Sequence, residues 1–96
     1  MNELKIVWDQ EKARQNIRKH GVSFEEAGSV FYDENALEFF DPDHSQKEDR
    51  FILLGLSFKM RILVVCHCSR EHSMIRIISA RKATRQEAQT YEGGKQ

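Results

Sequence analysis

The sequence is poor in the residues and patterns that mark several classes of protein. Its 96 residues include one proline and two cysteines, and no apolar run approaches the ~18 residues that a membrane-spanning helix needs. Collagen-like, disulfide-rich and transmembrane proteins are therefore excluded, and a hydrophobic content of 40% is too high for a wholly disordered chain. The start, Met1–Lys5, also lacks the basic and apolar regions of a signal peptide. We expect a single cytoplasmic domain over residues 1–96, with no membrane partner and with the last few residues disordered.

The two cysteines do not form a familiar disulfide or metal motif. Cys66 and Cys68 lie two residues apart in a strand-like run, where their Cα atoms are roughly 7 Å apart, too far for an unstrained disulfide. Structural zinc sites use cysteine pairs separated by two to four residues, and a second pair is missing. We expect small buried thiols, no metal and no cofactor, with zinc bound by the stretch Cys66–His72 as the alternative.

Charge is balanced over the whole chain but not between its halves. Fifteen basic side chains match fifteen acidic ones, yet residues 1–48 are mainly acidic and residues 49–96 are mainly basic. A neutral total argues against indiscriminate binding of polyanions, whereas a basic half can still present an anion-binding face. The alternative is a chance asymmetry on solvated surfaces.

Hydrophobic periodicity and capping residues predict the elements of secondary structure. Asp9 is typical of a helix N-cap and Gly21 of a helix stop, while Ser23–Glu26 and Thr84–Glu87 have the spacing of capping boxes. The predicted strands cover residues 4–8, 36–40, 50–57, 61–68 and 73–80, and the predicted helices cover 10–20, 24–32 and 85–91. The order β-α-α-β-β-β-β-α indicates an α+β domain with a mostly antiparallel sheet and with helices at both ends of the chain.

The lengths of two predicted turns bring three basic side chains together. A two-residue loop at 58–59 places Arg50 opposite His67, and a four-residue loop at 69–72 places Arg76 diagonal to His67. Because side chains alternate along a strand, Arg50, His67 and Arg76 then share one face of the sheet. The other face of these strands is almost purely apolar and is the natural core face.

This predicted basic cluster has the chemistry of a phosphate site. Arginine offers a fork of donors to phosphate oxygens, and histidine titrates near neutrality. With a base that takes the proton of a 2′-OH and an acid that protonates the 5′-oxygen, such a set can cleave RNA without a metal. The alternative is that the three residues lie at sheet edges and pair with carboxylates of Asp41, Glu48 or Asp49.

A second group of cations surrounds the start of the last predicted helix. Arg81, Lys82 and Arg85 lie where the helix dipole disfavours positive charge. An anion bound there would neutralise them and would also use the free backbone amides of the first turn. We therefore expect an anion site at this helix start.

Three further cations are candidate substrate contacts. Lys19 and His20 are in the last turn of the first helix, where interaction with the helix dipole is a sufficient alternative explanation. Lys47 is in the loop before the Arg50 strand and can swing toward the same face, although loop lysines are commonly just solvated. The substrate-binding prediction comprises Lys19, His20, Lys47, Lys82 and Arg85.

Two blocks of the sequence resemble the BrnT family of toxins. They are Lys19–Ala27 (KHGVSFEEA) and Ile75–Ala83 (IRIISARKA). The resemblance continues over Trp8-Asp9, Lys12-Ala13, Asn16, Val30-Phe31, Asp33, Arg50, Gly55 and Leu63–Val65, and it extends from about residue 5 to residue 92. The two blocks together are specific, so chance similarity does not account for them.

The resemblance implies a RelE-like fold and a ribosome-independent, metal-independent endoribonuclease that blocks translation. It also implies a type II toxin–antitoxin pair with a BrnA-type antitoxin, whose ribbon-helix-helix part contacts operator DNA in a hetero-oligomeric repressor complex. Lys47, Arg50, Arg76 and Arg81 match the basic positions of the family best, and the register argument adds His67 to them. The predicted catalytic residues are Arg50, His67, Arg76 and Arg81.

Two other functions remain open at the level of sequence. One is an inactive protein that binds the antitoxin and acts only in repression. The other is a small nucleic-acid-binding module without chemistry. Purified protein assayed on RNA with and without a chelator separates both from the enzyme.

Overall fold

The structure, a computed structural model, describes residues 4–70 and 73–94, except for the side chain of Arg70. Its elements are β1 (Lys5–Val7), α1 (Gln10–His20), α2 (Phe24–Ser29), β2 (Leu37–Phe40), β3 (Arg50–Leu56), β4 (Ile62–Arg70), β5 (Met74–Lys82) and α3 (Arg85–Gly93), with 3₁₀ turns at Val30–Tyr32 and Pro42–His44. The predicted α+β order is confirmed. The expected disorder of the last residues and the part of the zinc alternative that rests on His72 lie outside the described residues.

All five strands form one sheet in the order β1-β5-β4-β3-β2. The pairs from β2 to β5 are antiparallel, and only β1 pairs with β5 in parallel. After β1 the chain passes through α1 and α2 to reach β2 at the opposite edge of the sheet. The strands from β2 to β5 then return to β1 as a meander.

The two faces of the sheet are covered to different extents. On one face α1 and α2 bury a core that includes Phe24, Val30, Leu63 and Ile77. On the other face the cluster around Tyr91 of α3 is smaller, and its buried members are Leu54, Val64 and Tyr91. The part of this second face that α3 does not cover carries the candidate site.

The helix ends form as the capping residues predict, except that only half of the expected Ser23–Glu26 capping box is present. Ser23 Oγ accepts from Glu26 N at 3.0 Å, whereas the Glu26 carboxylate accepts from Ser57 and Arg61. The Asp9 side chain accepts a hydrogen bond from Lys12 N, and Gly21 adopts a left-handed conformation with φ of 70°. Thr84 and Glu87 form the reciprocal pair of a capping box. The second predicted helix is shorter than expected, because the chain changes to a 3₁₀ turn at Val30.

The predicted register of the central strands is wrong. Arg50 pairs with Cys68 and not with His67, because the β3–β4 loop has three residues, 58–60, closed by a hydrogen bond from Ser57 N to Arg61 O of 2.9 Å. Met60 closes this loop in a left-handed conformation with φ of 62°. Glycine usually marks such a position, and the sequence has none there. A shift of one residue moves every side chain of a strand to the other face, so His67 points toward α1 and α2.

The register between β4 and β5 also differs from the prediction. Arg76 pairs with Cys68, whereas Val65 pairs with Ala80. An irregularity between Cys66 and His67 adds one residue on β5, and such bulges are not visible in the sequence. As a result Arg50, Cys68 and Arg76 form one row across three strands, and Arg81, opposite Val64, faces the same side.

No helix in the described ranges combines the length and the apolar character that crossing a bilayer requires.

Candidate active site

A cleft of about 390 Å³ opens on the sheet face that α3 leaves uncovered. Strand residues form its floor, and side chains from α1, from the loop before β3 and from β5 form its walls. The lining residues with chemical function are His20, Asp41, His44, Arg50, Cys66, Ser79 and Arg81. We refer to this space as the basic cleft.

Arg50 is placed in the basic cleft by the backbone of the preceding loop. Its N–H donates to Ser45 Oγ at 2.9 Å, and its carbonyl accepts from Asp41 N at 2.9 Å. Its side chain lines both the basic cleft and a second hollow of about 280 Å³ that includes Lys47 and Glu48. Within the described residues the buried Nε atoms of Arg50 and Arg76 have no hydrogen-bond partner, and no carboxylate pairs with Arg50.

Arg76 lies in the same row as Arg50 but at a different position on the face. The two arginines flank Cys68, and Arg76 Nη2 donates to the Glu48 carboxylate. Arg76 is not among the residues that line the basic cleft. The structure therefore brings two of the three members of the predicted basic cluster to one face, with Arg76 already held by an acidic partner.

Arg81 joins the basic cleft from β5 and is paired with α3. Its Nη1 and Nη2 donate to Glu87 Oε1 and Oε2 at 2.8 and 2.9 Å. These hydrogen bonds from Arg81 hold the pKa of Glu87 at about 2. Glu87 therefore supplies negative charge at the start of the last helix, where the sequence also predicts an anion site. Lys82 and Arg85 are exposed beside it and do not line the basic cleft.

His20, the last residue of α1, is half-buried and forms a wall of the basic cleft. The buried side chain of Asn16 fixes this helix end, because its Nδ2 donates to Val22 O at 2.9 Å and to Ala80 O at 2.8 Å. Its Oδ1 accepts from Ala80 N at 3.1 Å, so one amide docks α1 on β5. Lys19 is exposed and does not line the cleft.

His67 is fully buried on the opposite face of the sheet. Its ring lies 4.8 Å from Phe31 and 6.0 Å from Phe51 between centroids, and its Nε2 is 3.2 Å from Glu38 Oε2. The sheet separates it from Arg50, so the prediction that the two share a face is wrong. The error follows directly from the extra residue in the β3–β4 loop.

Asp41 and His44 form a pair that the sequence-based predictions do not include. His44 Nδ1 lies 2.9 Å from Asp41 Oδ2, and the two residues belong to one 3₁₀ turn that begins after Asp41. The Asp41 side chain is 13% exposed and that of His44 is 66% exposed, so a buried carboxylate orients an accessible ring. The spacing Asp-Pro-Asp-His was the available signal, because residues three apart meet in such a turn.

Cysteine chemistry contributes little to the site. Cys66 and Cys68 are both free, and burial raises the pKa of the Cys66 thiol. The thiol is therefore protonated near neutral pH and serves as a small wall of the cleft. Across residues 4–70 and 73–94 no three His, Cys, Asp or Glu side chains are grouped as metal ligands.

The fold and the cleft together define a class of protein. It is a small α+β domain whose open sheet face presents fixed arginines and two accessible imidazoles, a combination that matches a phosphodiester. The family model described as the ribonuclease toxin BrnT of type II toxin–antitoxin systems matches residues 8–87. The chain therefore belongs to the BrnT family of ribonuclease toxins, as the two sequence blocks indicate.

A solved structure agrees with this assignment. The crystal structure of the Brucella abortus ribonuclease toxin BrnT is 27% identical, with a TM-score of 0.66 over 86% of this chain and 100% of that one. None of the curated proteins compared with the chain matches it. Membership of a type II toxin family implies an RNA target and an antitoxin partner.

Proposed function

We propose that this chain is an active endoribonuclease that cleaves RNA without a metal ion and thereby inhibits translation in the cytoplasm. The observation that carries the proposal is the composition of the basic cleft, where Arg50 and Arg81 share one space with His20 and His44. A phosphodiester needs a charge stabiliser, a base and an acid for attack by its own 2′-OH, and this cleft offers all three types of group.

Arg50 is the proposed charge stabiliser. The phosphorane formed when the 2′-oxygen attacks carries an extra negative charge, and a guanidinium that is already positioned lowers its energy without reorganisation. Arg50 is tied to its loop by two backbone hydrogen bonds, and its side chain lines the basic cleft. Arginine is always protonated, so it stabilises charge but is a poor general base.

The remaining basic residues are proposed as contacts along the RNA. Arg81 and Arg76 are held in fixed positions by Glu87 and Glu48, so each presents an oriented cation on the open face. The exposed cations Lys19, Lys47, Lys82 and Arg85 are proposed to bind flanking phosphates, which need not be fixed in position. His67 is left out of the proposed site because it is buried on the other face.

A BrnA-type antitoxin with a ribbon-helix-helix part is proposed to neutralise the toxin by covering the basic cleft. Next to the cleft lies a mainly apolar groove of about 270 Å³, lined among others by Phe39, Ile52, Leu54 and Arg81. An amphipathic acidic segment would bury its apolar side in this groove and neutralise the arginines together. The proposed complex then binds operator DNA through the antitoxin.

A second candidate function is that of an inactive co-repressor that binds the antitoxin without cutting RNA. Two ion pairs favour it, since Glu48 and Glu87 already neutralise Arg76 and Arg81. A site that has its own carboxylates binds a polyanion less strongly than one with free arginines.

An RNA cleavage assay separates the two candidates. Protein freed of antitoxin is incubated with a structured RNA in the presence and absence of EDTA, beside Arg50→Ala purified in the same way. The enzyme proposal expects equal cleavage in both conditions and loss of cleavage in the variant. No cleavage by the wild type would favour the co-repressor, and cleavage that EDTA abolishes and a divalent ion restores would contradict the metal-independent mechanism.

A further inference from the structure

The Asp41–His44 pair has the geometry of an oriented proton acceptor. The Nδ1–Oδ2 separation is 2.9 Å, and an ionised carboxylate can only accept a hydrogen bond. Nδ1 must therefore carry the shared proton, which leaves Nε2 of the neutral ring with a free lone pair. The ring is 66% exposed, so a substrate hydroxyl can reach that atom.

The loop fixes this pair relative to Arg50. Ser45 Oγ donates to Asp41 O at 2.5 Å and accepts from Arg50 N at 2.9 Å, while Asp41 N donates to Arg50 O at 2.9 Å. Pro42 restricts the backbone at the start of the turn. A proton acceptor and the charge stabiliser are thus tied together through three hydrogen bonds.

His20 reaches the same cleft from a different element. It is the last residue of α1, where the helix dipole favours a cation. Asn16 anchors this helix end on Ala80, beside Ser79 and Arg81 of the cleft wall. A protonated imidazole at this position has a proton to give.

We propose that His44, oriented by Asp41, is the general base of RNA cleavage and that His20 is the general acid. The assignment rests on the proposed ribonuclease function and adds the two groups that it leaves unnamed. His44 Nε2 takes the proton of the 2′-OH, the 2′-oxygen forms a bond to phosphorus, and the P–O5′ bond breaks as His20 gives its proton to the 5′-oxygen. The products are a 2′,3′-cyclic phosphate and a 5′-OH, and solvent returns the two histidines to their starting protonation states.

The surroundings of His44 are rich in charged groups. The Asp41 carboxylate contacts its ring directly, and Arg50 lines the same two hollows. The titratable and charged groups that line the same two hollows as His44 are His20, Asp41, Asp43, Lys47, Glu48, Arg50, Cys66 and Arg81. If the pair only stabilised the 3₁₀ turn, its replacement would not change the rate of the chemical step in a folded variant.

Two RNA substrates distinguish base from acid. One is an ordinary oligonucleotide with a single ribonucleotide, and the other carries sulfur in place of the 5′-bridging oxygen at the scissile bond. The thiolate leaves without being protonated, so the sulfur substrate does not need a general acid. We expect His44→Ala to lose about 10²–10⁴-fold in single-turnover rate on both substrates. His20→Ala is expected to lose a comparable factor on the oxygen substrate only, and to approach the wild-type rate on the sulfur substrate.

Further variants separate chemistry from folding. Asp41→Asn is expected to reduce the rate on both substrates, while Asp49→Asn, an exposed carboxylate of the same loop that lines neither hollow, retains the wild-type rate. Imidazole in the buffer is expected to restore part of the activity of His44→Ala, which it cannot do for a purely structural loss. Circular dichroism and thermal melting confirm that the variants are folded.

The outcomes are distinct from failure of the proposed function. Wild-type protein that cleaves neither substrate contradicts the ribonuclease proposal and this inference together. Wild-type cleavage with a fully active His44→Ala contradicts the inference alone. Rescue of His44→Ala, and not of His20→Ala, by the sulfur substrate shows that the assignment of base and acid is wrong.

Discussion

At the scale of single residues, the site depends on which charges are already satisfied within the protein. Arg76 and Arg81 have carboxylate partners, whereas no carboxylate among the described residues pairs with Arg50. A paired arginine is held in position but is partly neutralised, and an arginine without a carboxylate partner keeps its full charge for a ligand. We therefore propose Arg50 as the main stabiliser of transition-state charge.

Replacement of Arg50 is expected to affect catalysis more than stability. Arg50→Ala should lower the RNA cleavage rate by about 10²–10³-fold, or roughly 3–4 kcal/mol, the usual effect of losing one donor to a developing charge. Arg50→Lys should recover little, because an ammonium cannot reproduce two parallel hydrogen bonds. Single-turnover kinetics measure this, with the exposed Arg14→Ala as the matched control. A rate for Arg50→Ala within twofold of the wild type would refute the assignment.

Glu87 gives the protein a pH dependence of stability that can be calculated in sign. Its pKa is lowered from 4.5 to about 2 in the folded protein, chiefly by the hydrogen bonds from Arg81. A lowered pKa means that the folded state favours the carboxylate. The stabilisation is therefore present above pH 4.5 and is lost as the pH falls toward about 2.

Thermal melting of Glu87→Gln tests this sign. The variant should be less stable than the wild type at pH 7, and the difference should shrink as the pH falls from 4.5 to about 2. Glu34→Gln, which removes an exposed carboxylate outside α3, serves as the control. A difference in melting temperature that stays constant over this range would show that Glu87 acts only through packing.

At the scale of secondary-structure elements, the parts set by local sequence were predictable and the parts set by pairing were not. Asp9, Gly21 and Thr84 act through neighbours three or four residues away, so their roles follow from the sequence. The register depends on the left-handed Met60 and on an irregularity near Cys66, neither of which has a marker residue. One extra loop residue moved His67 away from Arg50 and removed it from the site.

The candidate site also has parts that local sequence predicts and parts that depend on tertiary contacts. Residue type and position in the predicted elements single out Arg50, Arg81 and His20 as separate candidates, and in the structure all three line one cleft. Their meeting depends on contacts far apart in sequence, such as Asn16 with Ala80. The Asp41–His44 pair was within reach of sequence reasoning, because it lies within one turn and needs no tertiary contact.

Asn16 is expected to couple the stability of the fold to the shape of the cleft. Among the described residues β1 pairs with Met74–Arg76 of β5 and does not reach Ala80, where the Asn16 amide supplies hydrogen bonds that a neighbouring strand would supply. Asn16→Ala should leave these buried groups without partners and lower the free energy of unfolding by about 2–3 kcal/mol. Urea denaturation measures the loss, and the exposed Gln15→Ala, one residue earlier in α1, is the control. A loss below about 0.5 kcal/mol, the range of ordinary surface substitutions, would contradict this role.

At the scale of the whole molecule, the main hydrophobic core and the candidate site lie on opposite faces of the sheet. One face is covered by α1, α2 and the 3₁₀ turn Val30–Tyr32, and on it His67 is 0% exposed beside Phe31, while α3 covers only part of the other face. Arg50, Arg76 and Arg81, all from the basic half of the sequence, lie on this second face. The proposed RNA cleavage and the proposed binding of an antitoxin would both use this open, charged surface.

Expression of the chain alone should arrest growth and reduce protein synthesis, and co-expression of the cognate antitoxin should restore both. The proposed RNA cleavage is the cause, so Arg50→Ala should permit growth without antitoxin at the same level of soluble protein. Incorporation of labelled methionine after induction measures the effect. Normal growth with abundant folded wild-type protein would favour the co-repressor over the enzyme.

The most direct test of the account is the chemistry of the RNA ends produced in EDTA. Attack by the 2′-oxygen, stabilised by protein cations, leaves a 2′,3′-cyclic phosphate on one fragment and a 5′-OH on the other. Mass spectrometry of the fragments should show these ends with the wild type in EDTA and almost none with Arg50→Ala. Fragments with a 3′-OH and a 5′-phosphate, formed only when a divalent ion is present, would contradict the account.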